Sequence, residues 1–212
     1  MQHIDINEIK SWDRFYRGNF INSLSGFKSV SLIGTINTEG ITNLGLFSNI
    51  VHLGADPALI GFINRPIAAA PHTVNNIEAT KSYTINHIHR NIVAQAHGTS
   101  AKYADGESEF DAVGLTPIFK EGVKAPFVKE SLIQYALELV EIVPIKHNQT
   151  FLVIGAINHV FIDKDFISKD GFIAIEKAGS ITSLGLDGYY DTTHIARYHY
   201  AKPFEPVIKI DE

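Results

Sequence analysis

Short apolar runs with a period of two, or with no polar break at all, dominate the chain, and long helical stripes are scarce. Residues 28 to 36 are β-branched and apolar at Val30, Leu32, Ile33, Thr35 and Ile36. Asn37-Thr38-Glu39-Gly40 supplies a turn and Ile41 to Phe47 returns, which predicts a hairpin. A short loop then leads to Asp56-Pro57, and Pro57 opens Ala58-Leu59-Ile60-Gly61-Phe62-Ile63, a continuous apolar run suited to a mid-sheet strand covered on both faces. Thr73 to Ala79 reads as a helix capped by Thr73, and Tyr83 to Ile88 as another alternating strand. Leu132 to Ile145 and Phe151 to Ile162 are β-type runs joined by Lys146-His147-Asn148-Gln149, both far longer than the ~5–6 residues of an average strand. Near the start, Asn7 is placed to cap a helix whose Ile9, Trp12, Phe15 and Tyr16 form an apolar stripe that calls for a surface to cover. Residues 89 to 127 are mixed: a weak helix around Ile92 to Ala96, a polar stretch from Gly98 to Glu107, then apolar Phe110 to Leu115. Six or seven strands with only short helices favour a closed antiparallel sheet over a doubly wound parallel one.

Composition narrows the partners. The chain of 212 residues is 45% hydrophobic and 19% charged and has no linker-like stretch, so residues 1–212 are expected to form a single domain with its core at about 20–200. A net charge of −5 with scattered Lys and Arg gives no basic field for nucleic acid. Without cysteine there is no thiolate nucleophile, no Cys-ligated zinc and no iron–sulfur cluster, so redox chemistry would have to come from a bound organic cofactor or a non-thiolate metal. The N-terminus lacks the basic start and apolar run of a signal peptide, and no window approaches the ~20 apolar residues of a membrane span, so a cytoplasmic location without a membrane partner is expected.

The candidate chemistry gathers between residues 43 and 76. Asn43-Leu44-Gly45-Leu46-Phe47-Ser48-Asn49 is a polar, small-residue strand end, Arg65 follows an apolar strand directly, and Thr73 with Asn76 marks a helix start. Taken singly, these read as turn chemistry, a solvated arginine and a helix cap. Together they supply what a phosphorylated cofactor needs: a strand edge for a planar heterocycle, a guanidinium fork, and a helix N-terminus with unpartnered N–H groups. His87-Ile88-His89 would put two rings on one strand face, but no third ligand stands at a diagnostic spacing, and no metal site is expected. Motifs of Rossmann, P-loop, α/β-hydrolase and zincin enzymes are absent from the sequence. Tyr189-Tyr190 and Tyr198-His199-Tyr200 read as packing aromatics that could also cover one face of a flavin.

The succession Asn43 to Ser48, Asp56-Pro57, Thr73-Val74-Asn75-Asn76-Ile77 and Tyr83-Thr84-Ile85-Asn86 resembles the flavin reductase-like family. Leu152 to Ile157 and Gly185-Leu186-Asp187-Gly188-Tyr189 resemble its later strand and its C-terminal glycine–tyrosine segment. The resemblance implies a mainly β fold, an antiparallel, Greek-key, FMN-binding split β-barrel with short flanking helices. It implies FMN held by Asn43, Gly45, Leu46, Phe47, Ser48, Asn49, Arg65, Thr73 and Asn76, NADH or NADPH as donor, and hydride arriving at flavin N5. A homodimer with FMN at its interface follows from it, with a monooxygenase or other electron acceptor as partner. An FMN carrier without NAD(P)H oxidation is the alternative, and a haem-binding split barrel with His87 as ligand a third. No catalytic side chain is assigned. Three positions depart from the family pattern: Ala58 replaces a second Pro, His72 an acidic residue, and Gln149, or the offset His147, stands where a histidine occupies the nicotinamide side.

Overall fold

The computed structural model describes residues 1–104 and 106–210. Two N-terminal helices, α1 (Ile6–Ser11) and α2 (Arg14–Leu24), are capped by Asp5 and Asp13, whose carboxylates each accept two backbone N–H groups. Asn7 is therefore no cap: its own N–H donates to Asp5, and the single expected helix is two. Neither helix buries a residue. The aromatic stripe packs on itself instead, with Trp12 edge-on to Tyr16 and Phe20 at 5.0 Å.

Strands β1 (Lys28–Ser29), β2 (Ser31–Ile36), β3 (Thr42–Phe47), β4 (Ile50–Ala55) and β5 (Ala58–Asn64) precede helix α3 (Pro71–Thr80) and strand β6 (Ser82–His87). Helices α4 (Val93–Gly98) and α5 (Glu109–Val113) follow, then β7 (Pro117–Ile118), β8 (Phe127–Val128), the long β9 (Ile133–Ile145) and β10 (Thr150–Ile162), and finally β11 (Thr182–Leu184) and β12 (Gly188–Tyr190). The expected hairpins β2–β3 and β9–β10 are present. Three expectations fail. Ile50–Ala55 is a strand rather than a loop, and Pro57 lies in the turn before β5 rather than opening it. The α3 helix begins at Pro71, with Ala70 at the cap position and no side-chain cap, so Thr73 is an inner residue of the first turn. Pro at the first helical position costs no hydrogen bond and presets the backbone, which is why it sets the boundary.

The main sheet runs β3-β2-β6-β9-β10-β5-β4, with every pairing antiparallel. Its edge strands β3 and β4 are consecutive and joined by Ser48 and Asn49, so the sheet curls until its ends meet in one corner. Register shifts at Ile154/Gly155 and Ile157/His159 bend the longest hairpin as the curl requires. Successive residues of β2 serve opposite faces: Leu32 packs with Leu44, Phe110 and Leu115, whereas Ile33 packs with Phe62, Val74, Ile77 and Tyr83. One face thus carries α3 and the other α5, and the β3 edge runs between them. No described helix is long and apolar enough to cross a membrane.

Candidate functional site

The β3 edge, the loop from Arg65 to Ala70, the start of α3 and the segment from Thr99 to Glu109 enclose a cavity of about 400 Å³. That volume falls within the range of small-molecule sites, ~300–1,000 Å³. On an edge strand, alternate residues turn both backbone polar groups outward. In β3 the outward set is Thr42, Leu44 and Leu46, because Leu44 N–H donates to Glu109 Oε2 at 2.8 Å and so points away from β2. The Thr42 and Ser108 hydroxyls meet at 2.7 Å. The first residues of α5 therefore occupy the edge as far as Leu44, and the N–H of Leu46 comes next along the cavity wall.

The opposite wall follows from Asn64, which ends β5 fully buried. Its amide nitrogen donates to the carbonyls of Arg65, at 2.8 Å, and Ala70, at 3.2 Å. This staple closes the Arg65–Ala70 loop and delivers the exposed Arg65 and the uncapped start of α3 to the same wall. The N–H groups of the first turn, that of Thr73 among them, have no acceptor within the helix itself. They carry the positive end of its dipole.

All of the residues expected from the sequence line this cavity: Asn43, Gly45, Leu46, Phe47, Ser48, Asn49, Arg65, Thr73 and Asn76. Several are already committed to the framework. Asn76 Nδ2 donates to Thr35 Oγ1 at 3.0 Å and Asn43 Nδ2 to Thr73 Oγ1 at 3.3 Å, tying α3 to the sheet. The Thr73 hydroxyl thus accepts one bond and keeps its proton to give. The Asn49 amide pairs with both backbone groups of Ile63, at 2.9 and 3.1 Å, acting as one more rung between β4 and β5. Gly45 is a packing residue, since a Cβ there would lie 3.0 Å from the Phe47 ring and 3.5 Å from Thr73 Oγ1.

The segment from Thr99 to Glu109 supplies the part of the wall that the sequence pattern did not reveal. Tyr103 is locked by donating its hydroxyl to the Gly98 carbonyl at 3.0 Å, and Lys102 and Glu109 add charge. The visible signal was polarity without period between two helical patterns, which marks a loop without saying what it faces. Burial pushes the Glu109 carboxyl above its ordinary range, opposed by the N–H bonds of Leu44 and of Glu109 itself and by the nearby His72.

Other expected groups lie elsewhere. Tyr189 bonds His97 at 2.7 Å and Tyr190 packs on Phe27, so neither lines the cavity. His87 Nδ1 lies 2.9 Å from Ser180 Oγ and His89 Nε2 3.0 Å from the Glu130 carbonyl, so each ring is engaged separately. Gln149 sits in the β9–β10 turn at φ +60°, outside the cavity wall.

Residues 27–173 match the sequence model of the family described as "Flavin reductase like domain". The chain belongs to this family. A split-barrel protein of Shewanella frigidimarina NCIMB 400, assigned as a flavin reductase, is 45% identical and superposes with a TM-score of 0.92, over 95% of this chain and 100% of that one. The nitrilotriacetate monooxygenase component B of Bacillus cereus shares the fold at a TM-score of 0.81 and 22% identity, over 93% of this chain and 98% of its own. A protein of Aquifex aeolicus (strain VF5) is 28% identical over 120 residues, 56% of this chain, and the match spans 61% of that protein's length. The mainly β fold with short helices is accordingly the split barrel of the flavin reductase-like proteins.

Proposed function

We propose that the chain is an FMN-binding flavoprotein oxidoreductase, a flavin reductase supplied with hydride by NADH or NADPH. The observation that carries this reading is the meeting of three features on one cavity: the strand edge at Leu46, the guanidinium of Arg65 and the uncapped start of α3. A flavin mononucleotide is a planar heterocycle joined to a phosphate, and these features suit its two ends. Arg65, the Thr73 N–H group, and the hydroxyls of Ser48 and Thr73 would hold the phosphate. The outward backbone groups of Leu46, flanked by Gly45 and Phe47, would hold the ring, with fixed dipoles that need no reorganisation when negative charge arrives on it. A bound flavin would supply the redox chemistry, taking hydride at N5, while the residues named above bind and orient it. Asn43, Asn49 and Asn76 support the site through the framework bonds described above.

The chain ends favour a homodimer. Ile6, Phe15 and Leu24 of the N-terminal helices are exposed, as are Ile195, Tyr200 and Phe204 near the C-terminus. The fold shared with a monooxygenase component suggests a second protein that consumes the reduced flavin.

The deciding experiment is the visible spectrum of the purified protein under anaerobic NADH or NADPH. Bleaching of a bound flavin within seconds supports the reductase. Reduction by dithionite but by neither nucleotide over minutes replaces it with an FMN carrier fed by another protein. Gln149, or the offset His147, at the place of the family's histidine favours that second reading, and Gln149 lies outside the cavity wall.

A further inference from the structure

Among the described residues, Glu107 and Glu109 are the carboxyls that line the cavity without a task in the binding scheme, and of the two Glu109 is the one withdrawn from solvent. It is half-buried at the first position of α5, and its Oε2 accepts the Leu44 N–H at 2.8 Å. Leu46, whose backbone would hold the ring, lies two residues along the same edge, roughly 7 Å in an extended strand. A ring seated there has the Glu109 carboxyl as a near neighbour in the wall, partly shielded from water. His72, exposed at the start of α3, stands close enough to favour the ionised form. Among the described residues, the other charged or titratable groups lining the cavity are Arg65 after β5 and Lys102, Tyr103 and Glu107, where Glu107 accepts the Ala104 N–H at 3.1 Å. On α5 itself Asp111 faces solvent, and on the adjacent α4 the His97 ring is bonded to Tyr189.

We propose that Glu109 is the proton-exchanging group of the cavity, taking up a proton as electrons enter the bound flavin and releasing it as they leave. The proposal rests on the flavin reading given above. Two electrons and one proton, delivered together as hydride from a dihydronicotinamide or separately from dithionite and water, leave the reduced ring with one negative charge. A second proton, drawn from bulk water, bonds to a carboxylate oxygen of Glu109, so the cavity gains no net charge. Reoxidation passes both electrons to the acceptor, and two protons leave with them, the ring's to the acceptor or to water and that of Glu109 to water. The Leu44 N–H holds the carboxyl in either state, accepting no proton and needing no movement.

The test is the midpoint potential of the bound flavin as a function of pH, by dithionite titration without nucleotide, in the wild type, Glu109→Gln and His72→Gln. The amide oxygen that Glu109→Gln introduces can still accept the Leu44 N–H, which preserves the edge. For a two-electron couple each exchanged proton contributes about 30 mV per pH unit. Over the window in which Glu109 exchanges, the wild-type curve should be steeper than that of Glu109→Gln by this amount. In His72→Gln the steep segment should move to higher pH, because the ionised carboxylate loses its neighbouring imidazole. Parallel curves for wild type and Glu109→Gln would overturn the proposal. If Glu109→Gln fails to fold or to hold flavin, the His72→Gln curve decides, and an unmoved steep segment overturns it. A wild-type protein that takes up no flavin at all instead refutes the underlying flavin reading, before any potential is measured.

Discussion

At the scale of single residues, the site depends on groups that never reach a ligand. Asn64 is fully buried, spends its amide nitrogen on two loop carbonyls and leaves its Oδ1 without a partner. Its effect is to fix where Arg65 and the start of α3 stand. Asn64→Asp cannot donate to either carbonyl and should cost roughly 1–3 kcal/mol of stability, measured by urea unfolding. It should also weaken FMN more than riboflavin, because the displaced wall is the one assigned to phosphate. Arg65→Ala tests that wall directly: a lost charge-assisted bond should weaken FMN by about 1.5–3 kcal/mol and leave riboflavin, which has no phosphate, nearly unchanged. Equal losses for the two ligands in a fluorescence titration would remove Arg65 from the phosphate site. Arg65 was legible in the sequence because a cation directly after an apolar strand is conspicuous. Asn64 was not, since a buried amide looks the same on paper as an exposed one.

The elements divide by how strongly their pattern constrains them. The hairpin β2–β3 was readable because the residues of β2 face packed layers on both sides of the sheet, and β9–β10 because its apolar runs are long, although Val140 and Val160 are exposed. Strand β4 was not, because Ile50-Val51-His52-Leu53 lies on an edge with much of its side-chain surface in water, so burial imposed no alternation. The start of α3 was misplaced for a different reason. Thr is a favoured cap, but Pro71 presets the helical backbone two residues earlier and leaves Thr73 buried as an acceptor for Asn43. The irregular wall from Thr99 to Glu109 has no period to read, and its role exists only once β3 lies beside it. A prediction at this scale concerns Gly34, which faces Thr84 across the β2–β6 pairing. A Cβ at Gly34 would lie 2.3 Å from the Pro126 carbonyl oxygen, a backbone atom that also accepts the Thr84 hydroxyl at 2.6 Å. Neither strand can yield without breaking that bond, so Gly34→Ala should destabilise by about 1–3 kcal/mol or more, read as a lower urea midpoint with an unchanged slope. A neutral result would mean that the segment before β8 is not held against β2.

For the molecule as a whole, both chain ends present apolar surface to solvent, and the proposed dimer is the state in which that surface is covered. Sedimentation at micromolar concentration should therefore give twice the 23.4 kDa chain mass, and a stable monomer would oppose the dimer. Stability against pH is a second global property, to which His87 contributes. Its ring is wedged between Ser180 and Tyr135, and burial lowers its pKa from 6.5 to about 4. The folded state therefore binds fewer protons than the unfolded state between these values, and stability rises with pH across that window. The contribution is complete above pH about 6.5 and lost as pH falls towards about 4, at most about 3 kcal/mol from a shift of this size. Glu109 acts in the opposite sense, because a carboxyl raised by burial loses stability as pH rises through its own range. The two can be separated by substitution. His87→Gln can keep a hydrogen bond to Ser180 but has no proton to gain, so its urea midpoint should fall less than that of the wild type between pH 6.5 and 4. If both proteins lose stability in parallel, the acid sensitivity belongs to other groups and His87 is more open to water than its place beside Ser180 implies.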